Sequence, residues 1–267
     1  MTLSQFSYTV TTAAWAPKGD TFVTGSQDTE FALCLWNLHG EREYTWKEDN
    51  LRIYDLSISP DGERLVVLLE SRIMVYNFVT KEKLQQVAMG KVKLTSVNIS
   101  KNSQCMLVSM NDNKIQLMDI DSGEVLQKFE GHLQVQYVIR SAFGGANETH
   151  VVSGSEGMAY SKQSTLIIFC LTNFLFFSED SRIYIWRTTG QLVEALDAHR
   201  SKCVNAVAWH PQDPSVFASV GDDHRLRMCV ARSLVMIEMA LLTVCDRWSK
   251  AKNIEAIPHP AQNGHGL

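Results

Sequence analysis

A turn-rich motif recurs along this chain about every 40–45 residues, and this period constrains the fold more than any single residue does. The first copy reads Ala-Trp-Ala-Pro-Lys-Gly-Asp at residues 14–20, and the second reads Ser-Ile-Ser-Pro-Asp-Gly at residues 57–62. Weaker copies centre on Ile99 and Phe143, and a clear one centres on Trp209. A unit of this size cannot bury its apolar face alone, so neighbouring copies must stack into a continuous core. The repeat favours binding over catalysis as the function.

Each copy consists of short runs of β-branched and aromatic residues, separated by turn dipeptides such as Asp61-Gly62 and Ser122-Gly123. Residues 114–118 and 182–186 alternate in the manner of half-buried strands. The density of Asp, Gly and Pro argues against a helical solenoid, because these residues interrupt helices. Since a propeller blade contains about four strands, the sequence predicts an all-β propeller with about five recognisable blades.

The composition excludes several classes of function. The 267 residues carry a net charge of −4, and 45% of them are hydrophobic, which indicates a globular core without the basic surface that nucleic acids require. Six cysteines occur without a CxxC pair, which predicts reduced, mostly buried thiols and no metal site. No signal peptide is evident, and no apolar run reaches the about 20 residues of a membrane span. We therefore expect a cytoplasmic or nuclear protein that uses no cofactor and binds neither membranes nor nucleic acid.

The clearest copy of the motif contains Gly131-His132, then Val-Val-Ser-Gly-Ser-Glu at 151–156, then Asp180, then Ile-Tyr-Ile-Trp at 183–186. With these residues the chain resembles the WD-repeat β-propeller family. The resemblance implies that four side chains form a hydrogen-bonded set that stabilises this blade: His132, Ser153, Asp180 and Trp186. The last copy offers a second set, with Cys229 where the family has Trp: His199, Ser219 and Asp223.

Ser, His and Asp are also the components of a catalytic triad. The same trio occurs in two copies at the repeat spacing, however, and an active site has no need to recur in this way. A buried imidazole and a buried carboxylate also satisfy each other's hydrogen-bonding groups. We therefore predict that both sets are structural and that the chain is not an enzyme. A propeller hydrolase is the alternative, for which no metal spacing, phosphate-binding loop or nucleophile elbow is evident.

One stretch is more specific than the general repeat. Residues 137–148 contain Phe-Gly-Gly-Ala-Asn-Glu in place of the usual Trp-Ser-Pro-Asp-Gly turn, and the segments 204–211 and 214–219 follow in order. With these segments the chain resembles the WD-repeat scaffold subunits of GID/CTLH ubiquitin ligases, over about residues 8–156 and 179–228. The resemblance implies a non-catalytic scaffold in proteasome-dependent protein degradation, with ligase subunits or substrates as partners. A generic WD-repeat adaptor of another intracellular complex is the alternative.

The regular spacing also shows where the pattern is interrupted. Residues 157–178 separate Glu156 from Asp180, and removing them restores the usual period. The run 166–177 is unusually apolar for a loop. If exposed, an apolar patch of this kind is either a partner site or an aggregation liability. We therefore favour a translated intron over a functional loop for this insertion.

We expect two regions, a propeller over residues 1–228 and a divergent tail over 229–267. Within the tail, 234–242 are predicted to form a short helix and 257–266 to be disordered. The scaffold subunits that the chain resembles close their propellers with more than five blades. Because an open stack leaves sheet edges and apolar faces exposed, we favour an incomplete seven-bladed propeller over a complete small one.

Propellers of this family bind partners with the loops between blades and with the turns that carry the Asp positions. On this basis six residues are predicted to form the partner-binding surface: Gln134, Gln136, Ser181, Arg200, Lys202 and His224. A receptor for a cullin-type ligase is not favoured, because neither Trp36-Asn37 nor Trp186-Arg187 is followed by the Arg that such receptors carry.

Overall fold

The computed structural model describes residues 6–28, 30–48, 51–156, 180–199, 202–231 and 248–249. These residues form twenty strands in five four-stranded antiparallel sheets, so the predicted all-β repeat architecture is confirmed. Several predictions fall outside the described residues. They concern Arg200, the insertion at 157–178, the helix at 234–242 and the disordered segment at 257–266.

Every sheet is a meander in which consecutive strands pair with one another. The first sheet contains β1 (Val10–Trp15), β2 (Thr21–Ser26), β3 (Leu33–Asn37) and β4 (Arg42–Thr45). The second contains β5 (Asp55–Ile58), β6 (Arg64–Leu68), β7 (Arg72–Asn77) and β8 (Lys83–Ala88). The third contains β9 (Leu94–Ile99), β10 (Cys105–Met110), β11 (Lys114–Asp119) and β12 (Val125–Glu130).

The last two sheets are built in the same way. The fourth contains β13 (Ala142–Gly144), β14 (His150–Ser153), β15 (Arg182–Arg187) and β16 (Leu192–Asp197). The fifth contains β17 (Val204–Trp209), β18 (Val216–Gly221), β19 (Arg225–Ala231) and β20 (Trp248–Ser249). The strands predicted at 114–118 and 182–186 are confirmed as β11 and β15.

The sheets pack face to face in chain order, and the strands differ in burial accordingly. In β6 the four residues 65–68 are all fully buried, because the central strands of an inner sheet have a neighbouring sheet on each face. The outer strand β8 instead alternates between exposed and half-buried positions. Four apolar clusters fill the spaces between successive sheets. The cluster between the third and fourth sheets joins Leu107, Ile115, Leu117 and Phe129 to Val151, Tyr184 and Trp186.

A buried carboxylate ties the innermost strands together. Oδ1 of Asp55 on β5 accepts a hydrogen bond of 2.9 Å from the hydroxyl of Thr12 on β1, and Oδ2 accepts one of 3.1 Å from the backbone N–H of Val97 on β9. Nη1 of Arg140, just before β13, lies 3.3 Å from Oδ2 of Asp55. The backbone N–H of Arg140 donates to the carbonyl of Asn205 on β17. Polar contacts centred on Asp55 and Arg140 therefore connect all five sheets.

The unusual Phe-Gly-Gly turn has a packing function. Gly144 ends the short strand β13, and a Cβ at this position would overlap the indole ring of Trp209. Gly145 has a φ of 74°, a conformation that glycine adopts without strain, and a 3-10 turn over Ala146–Glu148 follows it. The sequence Phe-Gly-Gly thus lets the fourth sheet approach Trp209 of the fifth.

Strand β19 continues across the predicted boundary between 228 and 229, to Ala231. Cys229 pairs with Phe217 of β18 and packs against the apolar cluster between the fourth and fifth sheets, whereas Met228 and Val230 are exposed. This alternation is the period of a half-buried strand, so the strand persists although the expected Trp is absent. Strand β20, at residues 248–249 of the predicted tail, pairs with the end of β19.

Candidate protein-binding surface

The polar set predicted for the last repeat is assembled in the fifth sheet. Nδ1 of His199 lies 2.7 Å from Oδ1 of Asp223, and Nε2 lies 3.0 Å from Oγ of Ser219. An ionised carboxylate can only accept, so Nδ1 of His199 donates the hydrogen bond to Asp223. Arg227 donates to the second oxygen of Asp223 at 3.2 Å. The imidazole thus links β18 to the turn before β19.

The surroundings of this set explain its protonation and its role. Burial tends to raise the pKa of Asp223, but the hydrogen bonds from His199 and Arg227 outweigh it and lower that pKa below its ordinary value. His199 is fully buried and Ser219 is almost so. Although the three side chains have the order of a catalytic triad, neither the hydroxyl nor the imidazole can contact a substrate in this arrangement.

The set predicted for the fourth sheet is not assembled in the same way. Oδ2 of Asp180 accepts hydrogen bonds from the hydroxyls of Ser155 at 2.7 Å and Tyr184 at 3.0 Å, and not from His132. Ser153 donates to the carbonyl of Gly154. The indole N–H of Trp186 donates to the carbonyl of Glu130 at 3.2 Å. The four predicted side chains therefore lie in the fourth sheet or in the loops beside it, and they form no hydrogen bonds with one another.

His132 is consequently an isolated buried imidazole. Neither of its ring nitrogens has a hydrogen-bond partner among the described residues, and the ring packs edge-on against Tyr184 and Trp186. Burial lowers the pKa of His132 to about 4, against the opposing effects of Gln134 and Asp112. Burial also raises the pKa of Asp180, although its two hydroxyl donors act in the opposite direction. His132 is therefore neutral at physiological pH.

The structure divides the predicted partner-binding residues. Gln136, Lys202 and His224 are exposed, as a binding surface requires. Gln134 and Ser181 are buried, so their assignment to an exposed surface is wrong. The side chain of Gln134 turns inward because its amide donates to the hydroxyl of Thr95 at 2.8 Å. Gln134 anchors the loop to the third sheet instead of presenting it to a partner.

The loop between the third and fourth sheets carries an apolar surface that the sequence analysis missed. In the segment 135–138 the side chains of Val135, Tyr137 and Val138 are 50%, 41% and 50% exposed. Gln136 lies among them and is also exposed. We call residues 135–138 the presenting loop. Their Val-Gln-Tyr-Val sequence, in a linker between repeats, was the signal available for predicting it.

A single buried carboxylate fixes the backbone of the presenting loop. Oε1 of Glu156 accepts hydrogen bonds of 2.7 Å from each of the backbone N–H groups of Val135, Gln136 and Tyr137. Glu156 is itself almost fully buried, and its backbone N–H donates to the carbonyl of Leu133. Charge-assisted hydrogen bonds of this kind are about twice as strong as neutral ones. The loop is therefore held in one conformation while its apolar side chains face outward.

The described residues offer little for other kinds of site. Among them, no group of three or more His, Cys, Asp or Glu side chains is arranged to hold a metal ion. In the part of the chain that the structure covers, no helix is long and apolar enough to cross a membrane.

Comparison with known proteins explains the repeat. The family model for the WD domain, G-beta repeat, matches residues 190–229, which include β16, β17 and β18 and most of β19. The matched unit thus contains the outer strand of the fourth sheet and the His199 set of the fifth. The chain belongs to the WD40-repeat family. Its five sheets are WD40 blades, and the matched repeat is offset from its blade by one strand.

Individual WD40-repeat relatives extend over most of the chain. It is 32% identical to GID complex subunit 7 of Schizosaccharomyces pombe over 83% of its own length and 40% of the relative. It is also 32% identical to the WD repeat-containing protein WDS homolog of Arabidopsis thaliana, over 83% of the chain and 38% of that protein. A WD repeat-containing protein 26 homolog of A. thaliana is 27% identical. The chain therefore spans about two fifths of the length of the first two relatives.

Proposed function

We propose that this WD40-repeat chain is a non-catalytic scaffold of a GID/CTLH-type ubiquitin ligase that binds ligase subunits or substrates through the presenting loop. In this role it acts in the cytoplasm or nucleus, in proteasome-dependent protein degradation. The observation that carries the proposal is the outward display of Val135, Tyr137 and Val138 on a backbone that Glu156 fixes.

The arrangement suits protein binding for two reasons. Tyr is enriched at the energetically dominant positions of protein interfaces, and neighbouring Val side chains can exclude water around it. A loop that is already ordered also loses little conformational entropy when a partner binds. The buried Glu156 therefore contributes to affinity without touching the partner.

The assignment to a ubiquitin ligase rests on sequence similarity. The relative named GID complex subunit 7 is 32% identical over 83% of the chain. The chain spans 40% of that relative, so the partners of the whole relative are carried over here as a proposal.

Non-catalytic function is supported by the burial of the two Ser-His-Asp sets. A hydrolase needs its nucleophile and base at a surface that the substrate can reach. His199 and Ser219 are buried, and His132 forms no hydrogen bond with Ser153 or Asp180. Neither set offers a hydroxyl and an imidazole to a substrate.

The proposal is tested by affinity capture from cells that express the chain, followed by mass spectrometry. The test variant replaces Val135, Tyr137 and Val138 by Ser. The matched control replaces Val125 and Leu126 by Ser, since these side chains are 42% and 53% exposed on the outer strand β12. Circular dichroism and urea unfolding establish that both variants are folded.

We expect ubiquitin-ligase subunits to be captured by the unmodified chain and by the control, and to be lost with the test variant. Capture of ligase subunits by all three chains would refute the presenting loop as the binding surface. Capture of a different complex through the same loop would favour the generic adaptor over the ligase subunit.

A further inference from the structure

The fourth and fifth sheets contain the same polar pattern in two hydrogen-bonding states. In the fifth sheet the carboxylate of Asp223 bonds the imidazole of His199. In the fourth, the corresponding carboxylate of Asp180 bonds Ser155 and Tyr184, and the imidazole of His132 has no partner among the described residues. The fifth sheet therefore shows an arrangement that the fourth has the residues to form.

Two positions differ between the sheets: Ser155 and Tyr184, whose hydroxyls both bond Asp180, stand where the fifth sheet has Gly221 and Arg227. The residue two places after the Ser of the set is Ser155 in the fourth sheet and Gly221 in the fifth. The Ser155 hydroxyl competes with the imidazole for the carboxylate, whereas Gly221 has no side chain that could do so. A Cβ at Gly221 would lie 2.8 Å from the His199 ring and 2.6 Å from the carbonyl oxygen of Cys203. The assembled set therefore leaves no room for a side chain at position 221.

The state seen in the fourth sheet leaves several buried polar atoms unsatisfied. These are both ring nitrogens of His132, Oδ1 of Asp180 and Oε1 of Gln134. A buried polar atom without a partner costs free energy, and a bond between His132 and Asp180 would satisfy two of the four at once. Against this, the hydroxyls of Ser155 and Tyr184 stabilise the present position of Asp180. Each of the two states of Asp180, bonded to His132 or bonded to Ser155 and Tyr184, thus forms hydrogen bonds that the other lacks.

The hydrogen-bond partner of Asp180 affects the presenting loop through Ser155. Its hydroxyl oxygen accepts a hydrogen bond of 2.8 Å from the backbone N–H of Leu133, just before the loop. The next residue, Glu156, bonds the carbonyl of Leu133 through its own N–H and holds residues 135–137 through its carboxylate. A shift of Asp180 away from Ser155 therefore removes one support of the segment that positions Glu156.

We propose that Asp180 exchanges between Ser155 and His132, and that the exchange to His132 loosens the presenting loop and weakens partner binding. The part that concerns binding rests on the proposed function. The exchange itself does not, because it concerns only the hydrogen bonds of the fourth sheet. The unmodified chain favours the Ser155 state, in which the loop is fixed for binding.

The exchange is tested by NMR on the full chain with ¹⁵N-labelled histidine, using long-range couplings to the ring nitrogens. Ser155→Gly places at position 155 the glycine that the fifth sheet has at 221, and Tyr184→Phe removes a single hydroxyl from Asp180. Ser155→Thr is the matched control because it keeps the hydroxyl. In every chain His199 serves as the internal reference for a ring proton bound to a carboxylate.

In Ser155→Gly and in Tyr184→Phe we expect the Nδ1 proton of His132 to become protected as in His199. The amide protons of residues 135–137 should then exchange about tenfold faster than in the unmodified chain, because local opening becomes easier. Ser155→Thr should resemble the unmodified chain. If either folded variant leaves the His132 resonances unchanged, Asp180 does not exchange partners and the proposal is refuted.

Partner capture separates this proposal from the proposed function. If His132 changes as expected and capture is reduced at least several-fold, both parts hold. If His132 changes but capture by Ser155→Gly is unaffected, the link to binding is wrong while the exchange stands. Failure of the proposed function alone would appear as unimpaired capture by the variant with Ser at 135, 137 and 138.

Discussion

Replacing Asp55 by Ala should destabilise the whole chain, because this one carboxylate connects several sheets. Its side chain is only 2% exposed, and it accepts hydrogen bonds from Thr12, Val97 and Arg140. These donors belong to the first sheet, the third sheet and the segment entering the fourth. Removal of the carboxylate leaves a buried N–H and a hydroxyl without their acceptor and a guanidinium without its partner.

The expected size of the effect follows from the burial of the two charged groups. Breaking a buried ion pair by removing one partner costs about 3–5 kcal/mol. The side chain of Arg140 is 51% exposed, so water compensates part of its loss and the lower end of this range applies. We therefore expect the Asp55→Ala variant to lose about 3 kcal/mol of unfolding free energy.

The assay is urea unfolding followed by tryptophan fluorescence and circular dichroism. Asp121→Ala is the matched control, since Asp121 forms a 2.8 Å ion pair with Arg64 but is 71% exposed. Exposed pairs contribute about 0–1 kcal/mol, so this variant should differ little from the unmodified chain. Equal, small losses in the two variants would refute the idea that Asp55 joins the sheets.

Three further predictions concern the sheets themselves. His199→Phe should lower the unfolding free energy by about 2–4 kcal/mol in urea unfolding, because its two buried partners lose their hydrogen bonds. His132→Phe removes two unpaired nitrogens and should lower it by less than about 1 kcal/mol. Equal losses in the two variants would contradict the assigned hydrogen bonds. Since the pKa of His132 falls from its ordinary 6.5 to about 4, only the unfolded chain is protonated there between these pH values. The unfolding free energy should therefore decrease by up to about 3 kcal/mol as the pH is lowered through this window. The His132→Phe variant should lack this decrease, and an equal pH dependence of stability in the two chains would contradict the prediction. Gly144→Ala should lower the unfolding free energy by about 1–3 kcal/mol, because the new methyl group overlaps the indole of Trp209. The loss should be markedly smaller in a Trp209→Ala background, and full additivity of the two substitutions in this double-mutant cycle would exclude the contact.

The repeat period was sufficient to predict the sheets, because each repeat forms one local meander. Strands such as β11 and β15 are bounded by turn residues, so the local pattern locates them correctly, although residues 183–186 of β15 are all buried instead of alternating. The end of β19 is not predicted by the family motif, because Cys229 stands where the motif has Trp. The half-buried alternation of 228–230 was the better signal.

The candidate site was less predictable because it depends on competition between distant groups. His132 and His199 occur in similar local sequences, yet only His199 bonds its Asp, whereas Asp180 bonds the hydroxyls of Ser155 and Tyr184. Gln134 was expected at the surface, but Thr95, 39 residues earlier, draws it inward. The pair of Asp55 and Arg140 is separated by 85 residues, so nothing in either local sequence indicates it.

The central claim, that the presenting loop binds a ubiquitin ligase, is tested most directly by site-specific photo-crosslinking in cells. A photoreactive phenylalanine derivative replaces Tyr137 in one chain and Tyr44 in the other. These two tyrosines are 41% and 40% exposed, but Tyr44 lies on the outer strand β4 of the first sheet, away from the presenting loop in sequence. We predict crosslinks to ubiquitin-ligase subunits from position 137 and none from position 44. Ligase crosslinks from position 44 alone, or from neither position, would contradict the account.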